Sequence, residues 1–221
     1  MTVAVCIYQI SLLLIFNYLS FLEKYLLFIN KYLPTFAFTF QNVNKMSTKT
    51  KTETILVIMN VLAWIVFIGL MIEAGAVLVS YGVSIVNPKA AKNLYKGLDF
   101  YNLSQYDFWH YTGIISLKAA ILIIEAYTAF LVIKVLSTIK ITNPFTMDVA
   151  QRLEKIAYML MLAWGAIIIY NGQLKWLSKE VAGLLENKLS SELIIYAGLV
   201  FVIAQIFKKG VEIQDENELT V

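Results

Sequence analysis

Residues 55–83 read ILVIMNVLAWIVFIGLMIEAGAVLVSYGV, a run broken by a single charge, Glu73. A bilayer core about 30 Å thick needs about 20 residues of helix to cross it, and this run is longer than that. Backbone amides in lipid have no water to bond, and the run lacks the ten-residue alternation of a barrel strand, so it must be helical. Working outward, residues 112–136, 156–170 and 193–207 have the same character, the last two extended by amphipathic flanks. A fifth apolar stretch, residues 3–22, precedes them all. The 221-residue chain as a whole is 59% apolar and 15% charged, with a mean hydropathy of +0.70. A soluble domain carries about 25% charged residues, so a soluble enzyme and a disordered chain are both excluded.

The expected architecture is all-α: a polytopic transmembrane four-helix bundle over residues 46–210, with helices at about 55–83, 112–136, 144–171 and 192–208. An acidic tail follows at 211–221. Residues 1–45 read either as an extra hydrophobic helix or as an over-extended start. They have neither the opening basic residue nor the cleavage site of a secretory signal, whereas Met46 begins a polar basic leader, Ser-Thr-Lys-Thr-Lys-Thr-Glu, so the second reading is preferred. A start at Met46 removes Lys24, Lys31, Lys45 and Glu23, and the net charge falls from +3 to +1. Neither value calls for nucleic acid, and the lysines are scattered between apolar runs, so no direct nucleic-acid binding is expected. With one cysteine, Cys6, and one histidine, His110, an internal disulfide and a Cys/His metal site are excluded, and no cofactor is expected.

Orientation follows from Lys and Arg in the connections. With the leader in the cytosol, Lys49, Lys51, Lys134, Lys140, Arg152, Lys155, Lys208 and Lys209 lie inside. Lys89, Lys92, Lys96, Lys175, Lys179 and Lys188 lie outside. The excess favours a bacterial inner-membrane protein with both ends of the four-helix core in the cytosol. Tyr106, Phe108, Trp109 and Tyr111 read as aromatic anchors at the outer face, with His110 an interfacial side chain beside Asp107.

Two connections carry local signals. In Thr142-Asn143-Pro144-Phe145-Thr146, Asn143 is placed as an N-cap and Pro144 as the first helical residue, where its missing N–H removes nothing. Leu174, Leu177, Val181, Leu184 and Leu185 recur at helical spacing among charges and predict a short amphipathic helix on the outer surface, anchored by Trp176.

The N-P-F turn at 143–145 and the ending Phe207-Lys208-Lys209-Gly210-Val211-Glu212-Ile213-Gln214-Asp215-Glu216-Asn217-Glu218-Leu219-Thr220-Val221 resemble an uncharacterised family of small four-helix bacterial integral-membrane proteins. The resemblance covers about residues 50–221. In that family an acidic tail closes in L-T-V, and members are often encoded beside a small helix-turn-helix regulator. The resemblance implies a cytosolic helix-turn-helix partner, and it implies no catalytic residue.

Function is sought where charge survives. Each charge at mid-span costs about 2.5–3.5 kcal/mol on insertion scales, which marks Glu73, Lys118 and Glu125. Glu73 and Lys118 fall at similar depths, about 9–15 Å below the outer surface, and a pair between them is geometrically reasonable. Glu125 lies about 10 Å deeper on nearly the same face, with Asn60, Gln205 or a tyrosine as candidate partners. These residues are either a polar track or interhelical glue. In the tail, Glu212, Asp215, Glu216 and Glu218 alternate with Val211, Ile213, Leu219 and Val221, a spacing that suits an extended segment docking on a partner. No Ser/His/Asp set, HExxH or phosphate-cradling loop is present. The expected role is a non-enzymatic regulatory or interaction component; the competing one is a small channel or transporter subunit. The partners expected are the lipid bilayer, the helix-turn-helix regulator and a second copy of the chain.

Overall fold

The computed structural model describes residues 51–95, 98–139, 144–184 and 188–218, together with the isolated helical positions Glu23, Leu27, Asn30 and Pro34. The two readings of residues 1–45 otherwise lie outside the described residues. Four long helices form: α1 (Lys51–Val86), α3 (Phe108–Thr138), α4 (Met147–Glu180) and α5 (Leu193–Glu218). The short helix α2 (Tyr101–Tyr106) and a 3-10 turn at Pro88–Asn93 link α1 to α3. Each long helix is long and apolar enough to cross a membrane.

The ends of α1 and α3 show how sequence sets the boundaries. Pro88 cannot continue α1, and the Asn87 side chain accepts the Lys89 amide at 3.2 Å to start the 3-10 turn. Asp107 opens α3 by accepting the His110 amide at 2.8 Å. Asn143 lies outside the described residues, but the expected cap at that position is corrected: α4 begins at Met147, with Thr146 Oγ1 accepting the Val149 amide at 3.4 Å. Pro144 and Phe145 precede the helix.

Successive long helices run antiparallel. Tyr111 at the start of α3 meets Ser84 at the end of α1, and Lys208 late in α5 meets Glu154 early in α4. α1 packs on α3, α3 on α4 and α4 on α5. The most apolar part of α3 is 56% buried against 17% for α1 and α5, so α3 is the central helix and the outer pair keep apolar surface suited to lipid. One end of the molecule, the capped end, carries α2 and the 3-10 turn. The other, the terminal end, carries the start of α1, the α3–α4 connection and the end of α5.

At the capped end Ala91, Leu94, Leu98, Phe100 and Leu103 join the helix residues Ile114, Tyr170, Leu174 and Leu177 in one apolar core. This overturns the expected surface helix at 174–185. Ile167, Tyr170, Leu174, Leu177 and Val181 form one buried stripe, which carries α4 unbroken to Glu180 and turns its leucines into the protein. Tyr111, expected as a membrane anchor, is buried beneath α1 and hydrogen-bonded to Ser84, while Tyr106, Phe108 and Trp109 are exposed.

Candidate functional site

Lys118, Ile121, Leu122 and Glu125 recur at i, i+3, i+4 and i+7, which places them on one face of α3. That face forms the floor of a cavity of about 220 Å3. Glu73 of α1, Ile167 of α4, and Leu193 and Tyr196 of α5 also line it. Leu189, Ser190 and Glu192 close in from the α4–α5 connection at the capped end. The fold thus brings Glu73, Lys118 and Glu125, spread over 53 positions of sequence, to one cavity and adds a fourth charge, Glu192. No hydrogen bond joins Glu125 to Asn60 or Gln205 among the described residues; its tyrosine neighbour across the cavity is Tyr196.

One lining residue of the cavity, Leu189, is held by a side chain that sequence reasoning passed over. Asn171 Nδ2 donates to the Leu189 carbonyl at 2.9 Å, and its Oδ1 accepts the Leu189 amide at 2.9 Å. One side chain therefore satisfies both polar groups of a loop residue that lines the site. Earlier in the same connection, the Ala182 carbonyl accepts from Asn102 Nδ2 at 2.9 Å. The next residue, Gly183, has φ +78, and a Cβ there would stand 3.0 Å from the Asn102 amide. Both needs, left-handed backbone and close approach, select glycine. A lone asparagine beside an apolar run looks like any other polar loop residue, so neither clamp had a legible signal.

A second polar set ties α1 to α3 above the cavity. Tyr81 bonds Thr112 at 2.9 Å, and Ser84, which donates to the Tyr81 carbonyl at 2.7 Å, also bonds Tyr111. His110 lies where expected, its Nδ1 2.9 Å from Asp107 Oδ1 and its ring 5.6 Å from that of Trp176. The His110 amide, and after it the His110 ring, hold the Asp107 carboxyl below the usual carboxylate range. Among the described residues no three His, Cys, Asp or Glu side chains gather closely enough to hold a metal ion.

At the terminal end the two motifs that carried the family resemblance meet. The Phe145 ring packs on Phe207 with centroids 5.1 Å apart. It also lies against Gly210, where a Cβ would fall 2.6 Å from Phe145 Cδ1. Lys208 donates to Glu154 at 2.6 Å, so it is paired to α4, and Lys209 pairs with Glu212 at 2.8 Å one turn on. The expected extended tail is corrected as well: α5 continues as helix through Glu218, with Val211 buried and Glu212, Ile213, Asp215 and Glu216 exposed. Leu219 and Val221 lie outside the described residues, as does the side chain of Glu218.

Antiparallel apolar helices with charge confined to an internal cavity and the two ends define a multi-pass α-helical membrane protein. Residues 101–221 match the family model described as protein of unknown function (DUF2975), and the chain belongs to that family. The match takes in α2 to α5, the N-P-F turn and the acidic ending, and leaves α1 with Glu73 outside it. No curated protein and no solved structure matches the chain significantly.

Proposed function

We propose that the protein is a non-enzymatic regulatory or interaction component of the bacterial cytoplasmic membrane, with its terminal end in the cytosol and the end of α5 as its docking element. One observation carries the reading: α5 outlasts its apolar run and continues as helix to Glu218, about 16 Å beyond Phe207. The root of this extension is braced on α4 by the Lys208–Glu154 pair and the Phe145–Phe207 contact, which gives it a defined direction. Exposed Glu212, Asp215 and Glu216 flank the exposed aliphatic Ile213. That combination suits a basic surface with an apolar notch on a cytosolic partner. The partner we assign is a helix-turn-helix regulator, a class that carries basic surface for DNA. Lys134, Arg152, Lys155, Lys208 and Lys209, all near the terminal end, support the cytosolic placement.

The reading as a channel or transporter subunit draws support from the charged cavity. Against it, the half of the molecule beyond Glu125 is filled by Trp64, Phe67, Phe130 and Ile133, and by Leu131, Val135, Val149 and Ile156, which leaves an apolar plug where a polar track would continue. Affinity purification in mild detergent with mass spectrometry tests the proposal, comparing the full chain with one lacking residues 212–221. A helix-turn-helix protein recovered with the full chain and lost with the deletion is the expected result. Its retention by the deletion variant, or recovery of a homo-oligomer alone, contradicts it.

A further inference from the structure

The cavity beside α3 is a built site with its own chemistry, and reading its occupant goes beyond the cytosolic docking role and survives the failure of that role. Three carboxylates, Glu73, Glu125 and Glu192, line it against one ammonium, Lys118, a formal balance of −2. Charge at membrane depth is costly and is functional by default. A metal ion does not explain the set, because a divalent cation draws several oxygens to within about 2.0–2.6 Å. No such gathering of three ligands exists among the described residues. Two of the acids come from different elements, Glu125 from α3, about 10 Å deeper than Lys118, and Glu192 from the connection at the capped end. Between them the walls are apolar: Ile121, Leu122, Leu189 and Leu193. Pockets for drug-sized ligands measure roughly 300–1,000 Å3, so a cavity of about 220 Å3 fits something smaller.

A small occupant with positive charge at both ends and methylenes between satisfies the charge and the walls together. We propose that the cavity binds a short aliphatic diamine, one ammonium at Glu125, the other at Glu192, and the chain between along Leu122 and Leu193. Tyr196 borders the same space and adds an aromatic group to its lining. Asn171 holds one lining residue in place through its two hydrogen bonds to Leu189.

Isothermal titration calorimetry tests this on the full chain in nanodiscs of phosphatidylcholine, a lipid with no primary amine, against a blank of empty nanodiscs, with 1,4-diaminobutane, butylamine, 1-butanol and magnesium as probes. Saturable binding of the diamine is expected, at least about tenfold weaker for butylamine and absent for 1-butanol and magnesium. Glu125→Gln and Glu192→Gln should each weaken the diamine at least about tenfold. Glu192 is exposed on a connection, so its variant folds and decides the matter even where Glu125→Gln does not. No saturable binding by the parent chain overturns the proposal, as does binding unchanged in the variants, equal binding of 1-butanol, or magnesium binding at the same site.

Discussion

Asp107 does two things with one oxygen: it caps α3 through the His110 amide and orients the His110 ring. Because its carboxyl is held below the usual carboxylate range, the cap is complete at pH values above the ordinary aspartate value of about 3.9. The stabilisation is lost as pH falls through the lowered value in the folded state. The His110 amide proton in an NMR titration should therefore shift with a midpoint below the ordinary value, and Asp107→Asn should abolish the transition while keeping the cap. A midpoint at or above the ordinary value contradicts the geometry. Asn171 belongs to the same scale. Asn171→Ala leaves the amide and carbonyl of Leu189 without their partner, and should cost about 1–3 kcal/mol in a reversible unfolding measurement. The intramembrane charges were legible in sequence because an ionisable side chain inside an apolar run has no ordinary explanation. The asparagine clamps and the Ser84–Tyr111 bond were not, because their partners are backbone groups and hydroxyls brought near only by folding.

Among the elements, the close approach of Phe145 to Gly210 is the contact most open to test. A methyl at 210 would sit 2.6 Å from the ring, so Gly210→Ala must displace Phe145 or bend α5, at a cost of about 1–3 kcal/mol. Phe145→Ala should relieve most of that penalty, and a double-mutant cycle in detergent measures the coupling. Additive effects would show that the two residues do not meet. Helix existence was legible from the apolar runs, but ends were not. Extending α5 through Val211–Glu218 adds one bond per residue to a helix already nucleated, and this prevails over the alternation that suggested a strand. The buried stripe through Leu174, Leu177 and Val181 extended α4 in the same way, past charges that read as a separate surface helix.

For the molecule as a whole, the antiparallel order fixes which groups share an end. The start of α1, the α3–α4 connection and the close of α5 lie at one pole, with the acidic extension and its bracing; the capped core and the asparagine clamps lie towards the other. Four spans and their sequence order followed from hydropathy, since burial in lipid and burial in protein leave the same apolar signature. For that reason the central position of α3 and the meeting of Glu73, Lys118 and Glu125 at one cavity needed the packing itself. The docking role rests on the terminal pole facing the cytosol. Single cysteines at Asp215 and at Glu180, in a Cys6→Ser background, test that most directly with a membrane-impermeant maleimide. Intact cells with the outer barrier permeabilised should label the position-180 variant alone, and the position-215 variant only after the cytoplasmic membrane is opened. Labelling of position 215 from outside, with position 180 protected, would contradict the account.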